Sequence, residues 1–232
     1  METGARRVLI QLGESDAEMV ETLGATSLPG LVNLPPEPRA IYLFAHGAGA
    51  GMEHHFMEAM AARLEDRQIA VLRWNFPYMA AGRPFPDRPP RLVAAVRVVR
   101  SFASRLLPEL PVFAGGKSMG GRMASTAEAE SPLSVSGLVF LGFPLHPAGK
   151  PSTTRADHLK RVGVPMTFIR GERDALADPE LMSAVLTELT PSPELITVQA
   201  ANHTFEVLKR SGRDPENVLD EVADLAARGM KS

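Results

Sequence analysis

Apolar residues fall in two alternating spacings along the chain. Short, nearly unbroken apolar runs at residues 8–12, 40–45, 69–74, 111–114, 137–142, 165–170 and 195–199 predict buried strands. Between them, apolar positions recur every three or four residues over 53–64, 92–107, 119–129, 179–189 and 215–228, which predicts helices. The helix at 53–64 is typical, with Phe56, Met57, Met60, Ala61 and Leu64 on one face. Residues 82–90, rich in proline and arginine, are expected to be loop, because proline removes a donor and blocks helix. Residues 13–38 show neither period clearly, and a second edge strand is expected around 18–23.

Short apolar strands alternating with helices imply a mostly parallel sheet covered on both faces. The sequence shows no internal repeat, low-complexity segment or interdomain linker. It reads as one α/β domain over residues 1–232, with 1–38 supplying edge strands and loops. A length of 232 residues and 44% hydrophobic content fit a single well-cored domain.

Charge adds little. The net charge of -2, from 25 basic and 27 acidic residues, gives no field to recruit nucleic acid. There is no cysteine, which excludes disulfides, thiolate metal sites and a cysteine nucleophile. Arg6 and Arg7 precede only Val8, Leu9 and Ile10, short of the roughly 7-residue apolar core of a secretory signal. No run approaches the ~18 apolar residues that span a bilayer. A cytoplasmic protein that does not enter the membrane is expected.

Chemistry concentrates at strand ends. Gly116-Lys117-Ser118-Met119-Gly120 is a G-x-S-x-G pattern between a strand and a helix. A tight turn there needs flanks without bulk. It lifts the serine oxygen above the sheet edge and leaves the next N–H at a helix N-terminus. The alternative is a plain glycine-rich turn with a serine N-cap. Two nucleotide readings fail on spacing. A phosphate-binding loop ending in Gly116-Lys117-Ser118 needs a glycine where Pro111 stands, and Gly47, Gly49 and Gly51 alternate where a dinucleotide fingerprint requires G-x-G-x-x-G.

Asp174 follows the strand at 165–170, and His203 follows the strand at 195–199. The order serine, acid, histidine, each beyond a strand's carboxyl end, is that of one serine-triad fold among three. Glu172 is the nearest rival acid, and Asp178 before Pro179 reads as a helix cap. The Ala48 and Met119 N–H groups are the candidate oxyanion donors. Glu53-His54-His55 lacks the H-E-x-x-H spacing of a metal-binding helix. Neither a metal nor a cofactor is expected.

Several blocks together resemble a known family: Phe44-Ala45-His46-Gly47-Ala48-Gly49, Asn75-Phe76-Pro77-Tyr78-Met79, Gly115 to Arg122, Gly142-Phe143-Pro144-Leu145-His146-Pro147, Gly171-Glu172-Arg173-Asp174 and Asn202-His203-Thr204-Phe205. The chain resembles the dienelactone-hydrolase-like branch of the α/β-hydrolases. More closely, it is similar to small bacterial hydrolases related to the α/β-hydrolase subunit of the NSL histone-acetyltransferase complex. The resemblance implies an α/β-hydrolase fold and a triad of Ser118, Asp174 and His203. Serine stands at the elbow where dienelactone hydrolase has cysteine, so lactone hydrolysis does not carry over.

The expected activity is hydrolysis of small carboxylic esters through an acyl-enzyme on Ser118. Two other uses of the same fold stay open: a binding or scaffold protein, and a peptidase or acyltransferase. The roughly 20 residues at 143–164 allow a small helix but no large lid. The expected pocket wall is Phe76, Tyr78 and Met79 after one strand and Leu145 and His146 after another, although core packing suits Phe76 equally well.

Overall fold

The apolar runs become strands of one eight-stranded sheet, in a computed structural model that describes residues 4–13 and 17–231. The strands are β1 (Arg6–Gln11), β2 (Ser27–Asn33), β3 (Ala40–Ala45), β4 (Ile69–Trp74), β5 (Val112–Lys117), β6 (Gly137–Leu141), β7 (Met166–Gly171) and β8 (Glu194–Val198). Their spatial order is β1-β2-β4-β3-β5-β6-β7-β8. Antiparallel pairing is confined to β1–β2 and β2–β4; every later pair is parallel. Every residue of β3, β4, β5, β6 and β7 is buried, which is why these strands read as continuous apolar runs rather than alternating ones.

The helices are α1 (Ala17–Leu23), α2 (His55–Asp66), α3 (Pro77–Ala80), α4 (Pro89–Leu106), α5 (Met119–Glu130), α6 (Pro179–Thr187) and α7 (Pro215–Gly229). Two apolar layers result. Helices α2 and α7 cover one face of the sheet, and α1, α4, α5 and α6 cover the other. Both α6 and α7 start on an aspartate followed by proline. Asp178 Oδ1 accepts from Glu180 and Leu181 N, and Asp214 Oδ1 accepts from Glu216 and Asn217 N. These bonds satisfy donors that a first turn otherwise leaves unpaired.

Three expectations need correction. Residues 18–23 lie in helix α1, not a strand; Met19 and Leu23, four apart, share the face that meets the core. The second strand is instead β2, next to the edge strand β1, and the sequence hides it behind Pro29 and Gly30. Pro29 is tolerated because the β2–β4 ladder ends at Gly30 opposite Trp74, and Pro29 contributes only its carbonyl, to Asn75 N. Helix α4 begins at Pro89, inside the expected loop, since proline suits a first turn. Strand β5 runs on through Gly115 and Gly116 to Lys117. In the connection from β6 to β7, a 3-10 turn at Thr154–Arg161 is the expected small helix.

Candidate active site

The elbow is built by close approach. At Gly116 (φ 147°) a Cβ would stand 2.2 Å from the Ala45 carbonyl oxygen, and at Gly120 it would stand 2.3 Å from the same atom. Strand β5 and the first turn of α5 therefore touch the end of β3 with no room for a methyl group. Between them Ser118 takes φ 52°, ψ -117°, a region costly for a residue with a Cβ. The strain holds the side chain up and out of the turn.

Two loops bring the other groups to it. His203 Nε2 lies 3.0 Å from Ser118 Oγ, and His203 Nδ1 lies 2.9 Å from both Asp174 carboxylate oxygens. The carboxylate fixes the proton on Nδ1, so Nε2 accepts from the serine hydroxyl. The Asp174 side chain is fully buried and that of His203 is 19% exposed. Burial pushes the Asp174 carboxyl up. The His203 hydrogen bond and charge, the Leu176 N–H and the Lys117 ammonium outweigh it, and the group stays below its ordinary range. Glu172 is turned away: its Oε2 accepts from Ala200 N at 2.7 Å. The turn carrying His203 is tied by Asn202, whose Oδ1 accepts from Thr204 N, Thr204 Oγ1 and Glu206 N.

The loop after β3 is clamped from beneath. His46 is wholly buried; its Nδ1 donates to Gly47 O at 2.8 Å, and its Nε2 accepts from Phe76 N at 3.1 Å. Both roles require the neutral ring, and burial holds His46 at about 4. Farther along, Met52 N donates to Asn75 Oδ1 at 2.9 Å, and Met52 O accepts from Arg73 at 2.6 Å. Ala48 is thus held beside Ser118 on the cavity wall. Met119, first residue of α5, has no carbonyl one turn ahead to accept its N–H.

A cavity of ≈570 Å³ opens over Ser118 and His203. Its apolar walls come from Phe56 and Met57 of α2, Phe205, and Pro215 and Leu219 at the start of α7; His54, His55 and Glu206 add polar groups. The expected wall is elsewhere. None of Phe76, Tyr78, Met79, Leu145 and His146 lines this cavity. Phe76, Tyr78 and Leu145 are fully buried in the layer on the opposite face of the sheet, and Met79 packs against that layer. His146 is a clamp like His46, its Nδ1 donating to Pro147 O and its Nε2 accepting from Asp178 N. The sequence signal for the real wall was its position: His54 to Met57 follow directly on the Gly47 to Gly51 loop. Lys117, inside the motif itself, went unread; its side chain also reaches the cavity.

The chain belongs to the α/β-hydrolase domain family, which it matches over residues 38–231. Among solved structures, it resembles a dienelactone hydrolase from Anabaena variabilis, with a TM-score of 0.74, 22% identity and coverage of 98% of this chain and 97% of that one. It also resembles a lidless α/β serine hydrolase from Xanthomonas campestris, with a TM-score of 0.71, 19% identity and coverage of 99% and 94%. A Mycobacterium tuberculosis protein described as a putative phosphoribosyl transferase is 27% identical over 223 residues. The match takes in 91% of this chain but 45% of that protein, so the chain spans about half the length of this relative. Among the described residues, no group of three or more His, Cys, Asp or Glu side chains is placed to hold a metal ion. No helix there is long and apolar enough to cross a membrane.

Proposed function

We propose that this protein is a serine hydrolase that cleaves small carboxylic esters through an acyl-enzyme on Ser118. The observation that carries the reading is the continuous chain Ser118 Oγ, His203 Nε2, His203 Nδ1 and Asp174, with both links at hydrogen-bond distance. In this reading His203 Nε2 takes the hydroxyl proton as Ser118 Oγ bonds to the ester carbonyl carbon. The Ala48 and Met119 N–H groups meet the negative oxygen. The bond to the alkoxy oxygen then breaks, and that oxygen leaves with the proton from His203. Water repeats the sequence on the acyl-enzyme, again through His203, and releases the acid. Asp174 keeps the ring in the required tautomer and stabilises the imidazolium formed in each step.

The apolar cavity directly over the serine supports a small acyl or aryl group as the part recognised. A peptide or thioester would meet the same machinery, and pocket shape decides among them. The test is reaction with a fluorophosphonate followed by peptide mapping, beside a panel of esters of graded acyl length. Ser118 is expected to carry the adduct, and Ser118→Ala is expected to lose both labelling and turnover. A folded sample that is not labelled, or is labelled at another serine, rejects the reading.

A further inference from the structure

Lys117, immediately before Ser118, has a buried charge that the steps above do not use. Its Nζ donates to the His203 carbonyl oxygen at 2.7 Å. The same atom lies 5.9 Å from the ring centroid of Phe56 and 5.8 Å from that of Phe205, within reach of both aromatic faces. Those rings stack on each other, 5.9 Å apart and 11° from parallel. A Cβ on Gly142 would stand 3.0 Å from Lys117 Nζ and 3.3 Å from His203 Cε1. The missing side chain at Gly142 therefore leaves ammonium and imidazole as neighbours.

An ammonium beneath two phenyl rings is costly to desolvate, and a methionine of similar length would fill the space without that cost. The charge has to be explained by what it touches. We propose that Lys117 is a positioning residue for the base: its caged ammonium grips the backbone of His203 and holds the imidazole in line between Ser118 and Asp174. The inference rests on His203 acting as the base.

The charges around this pair are few. Asp174 lies behind the ring, at its Nδ1. His54 and His55 at the start of α2, and Glu206 beyond His203, stand with Lys117 around the cavity. Glu172 is engaged at Ala200. Burial brings Lys117 down to about 8, against the pull of Asp174, so the ammonium is charged at neutral pH and discharges above 8. The burial of His54 and the charges of His55 and Lys117 hold His54 below its ordinary value, so the ring at the cavity rim adds little competing charge.

The test measures ester turnover, fluorophosphonate labelling and the His203 Cε1–H chemical shift at one pH, in the intact protein beside Lys117→Met and Lys117→Arg. Lys117→Met loses the donor to the His203 carbonyl; its kcat and labelling rate are expected to fall about 10- to 100-fold, the scale of a small misplacement of a catalytic group, with KM changed less than about twofold. The Cε1–H shift is expected to move in that variant, and Lys117→Arg, which keeps a cationic donor, is expected to recover part of the rate. Unchanged kcat, or slower turnover with an unmoved Cε1–H resonance, would mean that Lys117 only packs, and would overturn the proposal. Should Lys117→Met fail to fold, Lys117→Leu is measured in its place against the same outcomes. Should the resonance move in a protein whose wild type fluorophosphonate does not label, Lys117 still positions the ring and the hydrolase reading falls.

Discussion

At the scale of single residues, histidines do three different jobs, and burial separates them. His203 is partly exposed between Ser118 and Asp174. His46 and His146 are buried clamps that use both ring nitrogens on backbone groups. His158 Nε2 reaches Ser125 Oγ at 2.7 Å; the hydroxyl of Ser125 donates to Arg122 O, so His158 is the donor, the reverse of the arrangement at Ser118. Nothing in the sequence separates the histidine beside Ser118 from the clamps, because the difference lies in partners from distant segments. The clamps have a measurable consequence. Burial holds His46 at about 4 in the fold, against an ordinary 6.5, and burial with the charges of Arg122 and Arg161 does the same to His158. A folded value below the unfolded one means the stabilising neutral form is complete above 6.5 and its benefit drains away as pH falls toward 4. Each histidine then lowers stability by up to about 1.4 kcal/mol per pH unit within that window. Denaturant midpoints are expected to fall between pH 7 and pH 5. His46→Gln should be less stable at pH 7 but show a shallower fall. An equally steep fall in the variant would show that the His46 clamp does not titrate as described.

At the scale of elements, legibility tracked burial. Strands β3, β4, β6 and β7, wholly buried, could be read from apolar runs, and α2, α5 and α7 from their spacing. Elements at the margin were harder. Strand β2 carries a proline and a glycine, and α1 is only 7 residues long, so neither has enough length to establish a period. Strand β5 looked as though it stopped at its glycines, because they are there for contact with neighbouring strands and not for a turn. The site's outline was legible for a related reason: in a parallel sheet the strand ends converge, so residues just past β5, β7 and β8 meet whatever their separation in sequence. Which acid faces the histidine depends on two residues of turn beyond β7. Glu172 braces the next turn through Ala200, and Asp174 reaches His203. Asp174→Asn is expected to lower kcat by about 10⁴, the loss seen for the same change in another serine triad. Glu172→Gln keeps an acceptor for Ala200 and should change kcat less than tenfold. Paired kinetics on the two variants decide the assignment, and the reverse ranking would move the acid to Glu172.

At the scale of the whole molecule, the sheet divides two kinds of apolar side chain that look alike in sequence. Phe76, Tyr78 and Leu145 lie on the face covered by α1, α4, α5 and α6, packed in its core. Phe56, Met57 and Phe205 belong to the layer under α2 and α7, and they face the cavity as well. An aromatic residue just past a strand end suits either side. Only the path of the chain after β3 and β8 shows that the opening falls between the N-terminal ends of α2 and α7. Substitutions on the two sides should therefore separate cleanly. Leu219, half-buried on α7, lines the cavity. Leu219→Ala enlarges it and should raise kcat/KM for longer acyl chains relative to short ones, by up to about tenfold for each methylene newly buried. The melting temperature should move little, because the side chain is not part of the closed core. Tyr78→Ala instead empties a fully buried site and should cost about 3–5 kcal/mol, as other aromatic truncations in cores do. It should scale kcat/KM down alike for all esters. Measuring both variants on the same ester series beside their melting curves tests the division. A chain-length shift from Tyr78→Ala, with none from Leu219→Ala, would place the acyl group on the other face of the sheet.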